Sequence, residues 1–242
     1  MSVVWPYVTP NAPPGRTGPL LPLPRTLVPL SAHPYDDPAA WTAAVEQGFG
    51  ALAVINLPAT LLAAHDGFAD PDVAPWAAVV EGIDRLAIHG VECLGHVSLG
   101  YATRPLVDLI GEITRWAVMP VTGIFLDHAP AGPYQVGPVA LAGRVARRAG
   151  LGALVLNPGV PVDPLYRRLD ATLCTFEGSW TEYQEWTGEG TEPGDGHLVY
   201  GVPHAEWDAA RDLAAVRGAG LSLITDRHAT LALAPLAHAP RP

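Results

Sequence analysis

The chain has 242 residues, 49% of them hydrophobic and 16% charged, with a mean hydropathy of +0.19. That composition excludes a disordered chain, and the length suits one α/β barrel of about 250 residues. The net charge of -10, pI about 5.2 and a basic set made only of Arg disfavour a nucleic-acid partner and exclude Schiff-base chemistry on a lysine.

Residues 1–25 are rich in Pro and Gly and read as a surface arm. Their start, MSVVWPYVTPNAPPG, lacks the charged and apolar regions of a secretory signal. No apolar run reaches bilayer length, so the expectation is a soluble cytoplasmic protein without a membrane partner. Eight short apolar runs then follow at regular intervals: 26–32, 51–57, 91–99, 122–128, 153–159, 171–178, 197–203 and 221–227. Between them lie helix candidates. The segment 38–48 follows Asp36 and Asp37, either of which can cap it, and opens on Pro38. The segment 73–89 spaces Trp76, Val79, Val80, Ile83 and Leu86 helically, and 105–117 repeats Leu106, Leu109, Ile110 and Ile113. The segments 137–149 and 206–217 end at Gly150 and Gly218. The connections between the fifth and seventh runs are shorter and more polar, with no clear helix. Cys93 and Cys174 sit inside apolar runs and read as buried thiols.

Near-continuous apolar strands, each followed by a helix, imply a parallel sheet covered by helices. Eight such units favour a single (β/α)8 TIM barrel over 26–232, followed by a tail at 233–242. A doubly wound open sheet is the competing fold, but no strand leads into a Gly-rich phosphate loop.

In a barrel of this kind the active site lies at the C-terminal ends of the strands. Those ends carry Ser31 and His33, Asn56, His96 and Ser98, Asp127 and His128, Asn157, Glu177, Tyr200 and His204, and Asp226 with His228. Strand ends meet polar loops, so most of these residues are ordinary caps and loop bonders. Asp127 and Glu177 stand apart, because each follows a strongly apolar run, GIFL and LCTF. Carboxyls from non-adjacent strands can face one another across a partly dry mouth, which suits acid–base or nucleophilic work at an acetal carbon.

Several segments resemble a known family. GIFLDHAP (123–130) resembles the DGIFLDE strand of the spherulin-4 family (spherulation-specific family 4), a glycoside-hydrolase-like group. LVLNPGVPVDPLYRRLDATLCTFEGSWTEY (154–183) resembles its NPG and FEG segment, and GHVSLGYATRPLVDLIGEITRW (95–116) its GY and Arg segment. LVPLSAHPYDDPAAW (27–41) resembles the first strand and the Trp after it, and the order holds over residues 27–186. The resemblance implies a (β/α)8 barrel hydrolysing amino-sugar polysaccharides such as microbial galactosaminogalactan. It places catalytic carboxyls at Asp127 and Glu177, with Asn157, Tyr101 and Arg104 in the cleft. Three departures accompany it: His128 replaces the Glu after Asp127, His96 replaces a Tyr, and the second strand runs into NLPATLLA rather than Asn-Pro and a Gly-rich loop.

The expected site is therefore Asp127, Glu177 and His128 as the reacting groups. Substrate contacts are expected from His33, Asn56, His96, Tyr101, Arg104, Asn157, Trp180, Tyr200 and Asp226. Tyr134, Tyr183 and Trp186 are further stacking candidates, and packing accounts for at least half of the aromatics. The expected partner is a carbohydrate or other polar small molecule, with no cofactor and no metal; the oligomeric state is open. Three alternatives stand beside this. One is a diverged intracellular barrel enzyme moving protons in small-molecule biosynthesis, such as an isomerase, lyase or cyclase. Another is a metal-dependent hydrolase using His33, His96, His128, His204 and Asp226. The last is a non-catalytic carbohydrate-binding barrel.

Overall fold

The computed structural model describes residues 22–57 and 74–227. Most of the expected arm, helix residue 73, His228 and the tail at 233–242 lie outside the described residues. Eight strands close into a parallel barrel in sequence order. They are β1 (Arg25–Leu30), β2 (Leu52–Ile55), β3 (Glu92–Ser98), β4 (Gly123–Asp127), β5 (Ala153–Asn157), β6 (Thr172–Ser179), β7 (Gly196–Tyr200) and β8 (Leu221–Ile224). The helices outside are α1 (Pro38–Gln47), α2 (Ala74–Ile88), α3 (Leu106–Trp116), α4 (Val136–Arg148), α5 (Trp180–Glu185) and α6 (Trp207–Val216). After β5 the connection carries a 3-10 turn, Pro164–Leu169, where Asp163 caps Leu165 and Pro164 opens the turn.

Local chemistry sets the element ends. Asp37 is the residue that caps α1, accepting a 3.0 Å hydrogen bond from the Ala40 N–H, and Pro38 occupies the first turn where no donor is needed. Ser179 and Glu182 form a reciprocal capping box that starts the short α5. Gly95 is where α3 meets β3: an added Cβ would lie 2.3 Å from the Trp116 ring, whose Nε1 donates to the His96 carbonyl.

Alternation along each strand divides two apolar layers. Leu27, Leu52, Val54, Leu94, Phe125, Val155, Cys174, Leu198, Leu221 and Leu223 fill the interior. Opposite-parity strand residues face outward and pack against the helices, meeting Trp41, Ile83, Ile113 and Trp116 on one side, while Phe176 meets Trp180 and Tyr183 on the other. Both cysteines are buried free thiols. Among the described residues no helix is long and apolar enough to cross a membrane.

β6 breaks the alternation once. Its register with β7 steps from Cys174↔Gly196 to Phe176↔His197, so Thr175 is an extra residue. Without this bulge, Cys174 and Glu177 would face opposite sides of the sheet, because three positions separate them. With it, both face inward. Two sets of bonds hold the bulge. Gly159 bridges it from β5, donating its N–H to the Cys174 carbonyl at 3.1 Å and accepting from Glu177 N at 3.0 Å. On the outer side Thr175 Oγ1 lies 3.0 Å from Asp195 Oδ2 and 2.9 Å from Thr191 Oγ1. Arg167 holds Asp195 in turn, at 2.9 Å between Nη2 and Oδ2.

The same outer layer buries His197 completely, 2.8 Å from the Tyr183 hydroxyl. Burial lowers its pKa to about 4, and the nearby Asp195 only partly opposes that. Between about pH 6.5 and 4 the unfolded chain binds a proton here that the folded chain refuses, so stability falls as pH drops through that window. His197→Gln is expected to lose about 2 kcal/mol less stability than wild type between pH 7 and pH 5. Urea titrations at the two pH values check this; equal losses would contradict it.

Candidate active site

The inward-facing positions at the C-terminal ends of the strands converge on one buried carboxylate. Asp127, at the end of β4, has no exposed surface. Its Oδ1 accepts from its neighbour's backbone, His128 N, at 2.8 Å and from Asn157 Nδ2 at 2.9 Å. Its Oδ2 lies 3.1 Å from His96 Nε2 and 3.7 Å from His128 Nδ1. Burial alone would push this carboxyl up. The hydrogen bond and charge of His96, with the charge of His128 and the bond from Asn157, outweigh it and hold the group below the ordinary Asp range. Asp127 is therefore a carboxylate.

Asn157 is the bridge. Its Nδ2 also donates to Glu177 Oε2 at 2.8 Å, so one amide group binds both acids. The two accepting oxygens lie no more than about 5.7 Å apart, the sum of those two bonds. Glu177 is partly exposed, and its side chain packs on the NPG loop. A Cβ at Gly159, whose φ is +69°, would meet Glu177 Cβ at 3.1 Å, so glycine is needed there on both counts.

His128 lies above Asp127. Its imidazole is 29% exposed, and Nδ1 is 2.9 Å from Ser98 Oγ, which leaves Nε2 as the ring nitrogen that can meet a ligand. The Tyr101 ring leans over it, with centroids 5.3 Å apart. Burial first, then the charges of Glu177 and Asp127, raise the Tyr101 pKa. Tyr101, Ala102 and His128 hold left-handed backbone angles, φ 52°, 68° and 49°. Each conformation costs on the order of 1 kcal/mol or more for a non-glycine residue. Three such residues lie at one mouth, and a 2.7 Å bond from Tyr101 N to the His128 carbonyl links two of them.

The remaining expected residues fall in different places. Asn56 and His96 are buried at the ends of β2 and β3, and Tyr200 is partly exposed at the end of β7. Arg104 supports the β3–α3 loop: its guanidinium donates to the Ser98 carbonyl at 2.6 Å and pairs with Glu112 at 2.8 Å. His33 accepts from Tyr35 N on the loop after β1, and Asp226 is exposed beyond β8. Trp180 differs from the expectation. It packs with Tyr183 in the layer behind β6, 7% exposed, and its Nε1 donates to Glu206. Tyr183 is fully buried there and Trp186 stacks beside it under Arg217, so these three rings build the shell outside β6 and β7. The outward parity of Phe176 and the start of α5 direct them away from the mouth. Tyr134 is almost fully exposed on the loop before α4. The His204 ring lies tilted against Trp207, with centroids 4.5 Å apart. Among the described residues no three His, Cys, Asp or Glu side chains converge as a metal-ligand set. Residues that composition did not single out are Gly159 and Thr175, whose roles depend on the bulge.

A cavity of about 560 Å3 opens at the opposite end of the barrel, between the N-terminal ends of the strands. Its polar walls are paired with one another, Arg25 with Glu92 and Arg167 with Asp195. Groups at that face of a barrel serve stability, and the strained residues and bridged carboxyls are at the other end.

The family model for spherulation-specific family 4 matches residues 25–230. The chain belongs to that family. The spherulation-specific barrel is also similar to a solved structure, Aspergillus clavatus Sph3 in complex with GalNAc, with a TM-score of 0.68 and 22% identity, covering 86% of this chain and 90% of that one. That likeness agrees with the closed barrel. No curated protein matches the chain. The chain's own segments now have places in the spherulation-specific barrel: LDH supplies Asp127 and His128, NPG supplies Asn157 and Gly159, and FEG supplies the inward Glu177 beyond the bulge.

Proposed function

We propose that this protein is a sugar-directed barrel enzyme of glycoside-hydrolase type, in which the ligand meets Glu177 and His128 above a buried, ionised Asp127. The observation that carries it is the single Asn157 amide tying the acids of β4 and β6 together at the mouth. The upper bound of about 5.7 Å on the separation of their accepting oxygens admits the roughly 5–5.5 Å of glycosidases that retain configuration. Asp127 is nevertheless sealed, and its oxygens already receive two donors and a histidine. A sugar cannot touch it without rearrangement, so its part is to orient His96, His128 and Asn157. Glu177 and His128 reach the mouth. Imidazole can deliver a proton to a glycosidic oxygen near neutral pH while the carboxylate stabilises the cationic anomeric carbon.

Because Sph3 was crystallised with GalNAc, oligomers containing N-acetylgalactosamine are the first substrates to try, with aryl glycosides beside them. Turnover by the wild-type protein is the expected result, and none across the set would overturn the enzymatic reading. A second reading, a barrel that binds sugar without cleaving it, is favoured by one observation: position 128 carries imidazole where the family motif carries a carboxyl. His128→Glu separates the two. If His128 is the acid, the substitution moves the alkaline limb of the pH–rate profile to lower pH, because a carboxylic acid gives up its proton more readily than imidazolium and an acid catalyst must be protonated. If the protein only binds, wild type has no profile and the substitution creates one.

A further inference from the structure

We infer that Asp195 and the Thr175 hydroxyl are positioning groups for Glu177, fixing the inward carboxyl from the outer side of the sheet; this rests on the sugar-directed reading above. Glu177 points into the mouth only because Thr175 is an extra residue in β6. Gly159 pins the two ends of that bulge, through the Cys174 carbonyl and the Glu177 N–H. The middle is held by the Thr175 side chain, which is 1% exposed and bonded to Asp195 on the outer side.

Asp195 stands just before β7 and is 4% exposed. Its Oδ2 lies 3.0 Å from Thr175 Oγ1, 3.1 Å from Thr191 Oγ1, 2.9 Å from Glu192 N and 2.9 Å from Arg167 Nη2. Arg167 Nη1 meets its other oxygen. Burial alone would raise its pKa. The Arg167 bond, the Glu192 N–H, the Arg167 charge and the Thr175 bond outweigh that and hold the group below the ordinary Asp range. A carboxylate only accepts, so Thr175 is the donor and its hydroxyl has a fixed direction. Asp195 is thus the rigid end of the chain of contacts. The mouth is the end that can move: Glu177 is partly exposed, two positions beyond Thr175, and its Oε2 accepts from Asn157 Nδ2 at 2.8 Å. A misplacement of about 1 Å in a reacting group can cost about a hundredfold in rate. Removing the Thr175 hydroxyl leaves Asp195 its bonds from Arg167, Thr191 and Glu192 N, so the fold is spared while the bulge loses the anchor of its middle.

The test uses Thr175→Val, which removes the hydroxyl at nearly constant volume and keeps a β-branched strand residue. Thr175→Ala is the second variant, in case a methyl against Asp195 costs the fold, and Thr175→Ser restores the hydroxyl. Tyr183→Phe is the control: it removes another hydroxyl of the same outer shell, 2.8 Å from His197 Nδ1, and no bond of the bulge. Two readouts are taken. Without ligand, NMR follows the side-chain amide of Asn157, one of three asparagines in the chain with Asn11 and Asn56, as a report on its bond to Glu177. With a sugar substrate, kcat and KM are measured separately. Thr175→Val and Thr175→Ala are expected to shift the Asn157 amide signals and to lower kcat at least about tenfold with KM changed less than about threefold, the pattern of a lost transition-state contact. Thr175→Ser should return both readouts to wild type, and Tyr183→Phe should leave both in place. Asn157 signals that the valine and alanine variants leave unmoved, or that Tyr183→Phe moves equally, would overturn the inference. So would a kcat within about twofold of wild type, or failure of both variants to fold, and each leaves the sugar-directed reading standing. A wild type without turnover overturns that reading alone, and the Asn157 signals then decide whether Thr175 and Asp195 set the place of Glu177.

Discussion

Glu177→Gln is expected to keep the fold and lose at least about a hundredfold in turnover of any sugar substrate, the usual range for removing a positioned acid–base group. The substitution is nearly isosteric. The Gln carbonyl can still accept from Asn157 Nδ2, which donates to Glu177 at 2.8 Å, and the side chain is partly exposed, so little stability is at stake. The melting temperature should stay within about 2 °C of wild type, because the bond from Asn157 is kept. What disappears is the charge that would face a cationic anomeric carbon. Steady-state kinetics on purified wild type and variant read the effect directly. Unchanged turnover would remove Glu177 from the chemistry.

Asp127→Asn should show the opposite balance, with a large loss of stability as well as activity. The variant places an NH2 group where two donors and a histidine nitrogen now converge on a carboxylate. Breaking a fully buried network of this kind costs about 3–5 kcal/mol, which in a chain of this size lowers Tm by roughly 6–20 °C. The pH dependence follows from the lowered pKa of Asp127. Its contribution is present above the unfolded carboxyl value, about 3.9, and is lost as pH falls through the lower folded value. The gap between wild type and variant should therefore close in strong acid. Calorimetric scans at neutral pH and below pH 4 check both parts, and a variant as stable as wild type at neutral pH would contradict them.

The barrel was legible in the sequence because its signal is periodic. Each of the eight apolar runs became a strand, and each of the five helix segments became a helix whose bounds agree within one residue wherever the described residues allow the comparison. All the strands but β6 end earlier than the apolar runs do, as at β2, β7 and β8, because the last residues leave the ladder to form the mouth. The carboxyl positions were legible from motif order, but their geometry was not. Whether Glu177 faces inward turns on Thr175 being bulged, and that depends on Gly159 and Asp195, partners 16 and 20 positions away from Thr175. Trp180 was expected among the substrate contacts, yet the capping box at Ser179 starts a helix that carries it into the outer shell. The departures from the family motif proved informative together: His96 and His128 are the two imidazoles around Asp127.

A crystal structure with a bound neutral sugar tests the central claim most directly. The expected density places sugar oxygens about 3 Å from the Glu177 carboxyl and the His128 ring, with Asp127 still enclosed by His96 and Asn157. A sugar seated in the cavity at the other end of the barrel, or one touching Asp127 while leaving Glu177 and His128 untouched, would contradict it.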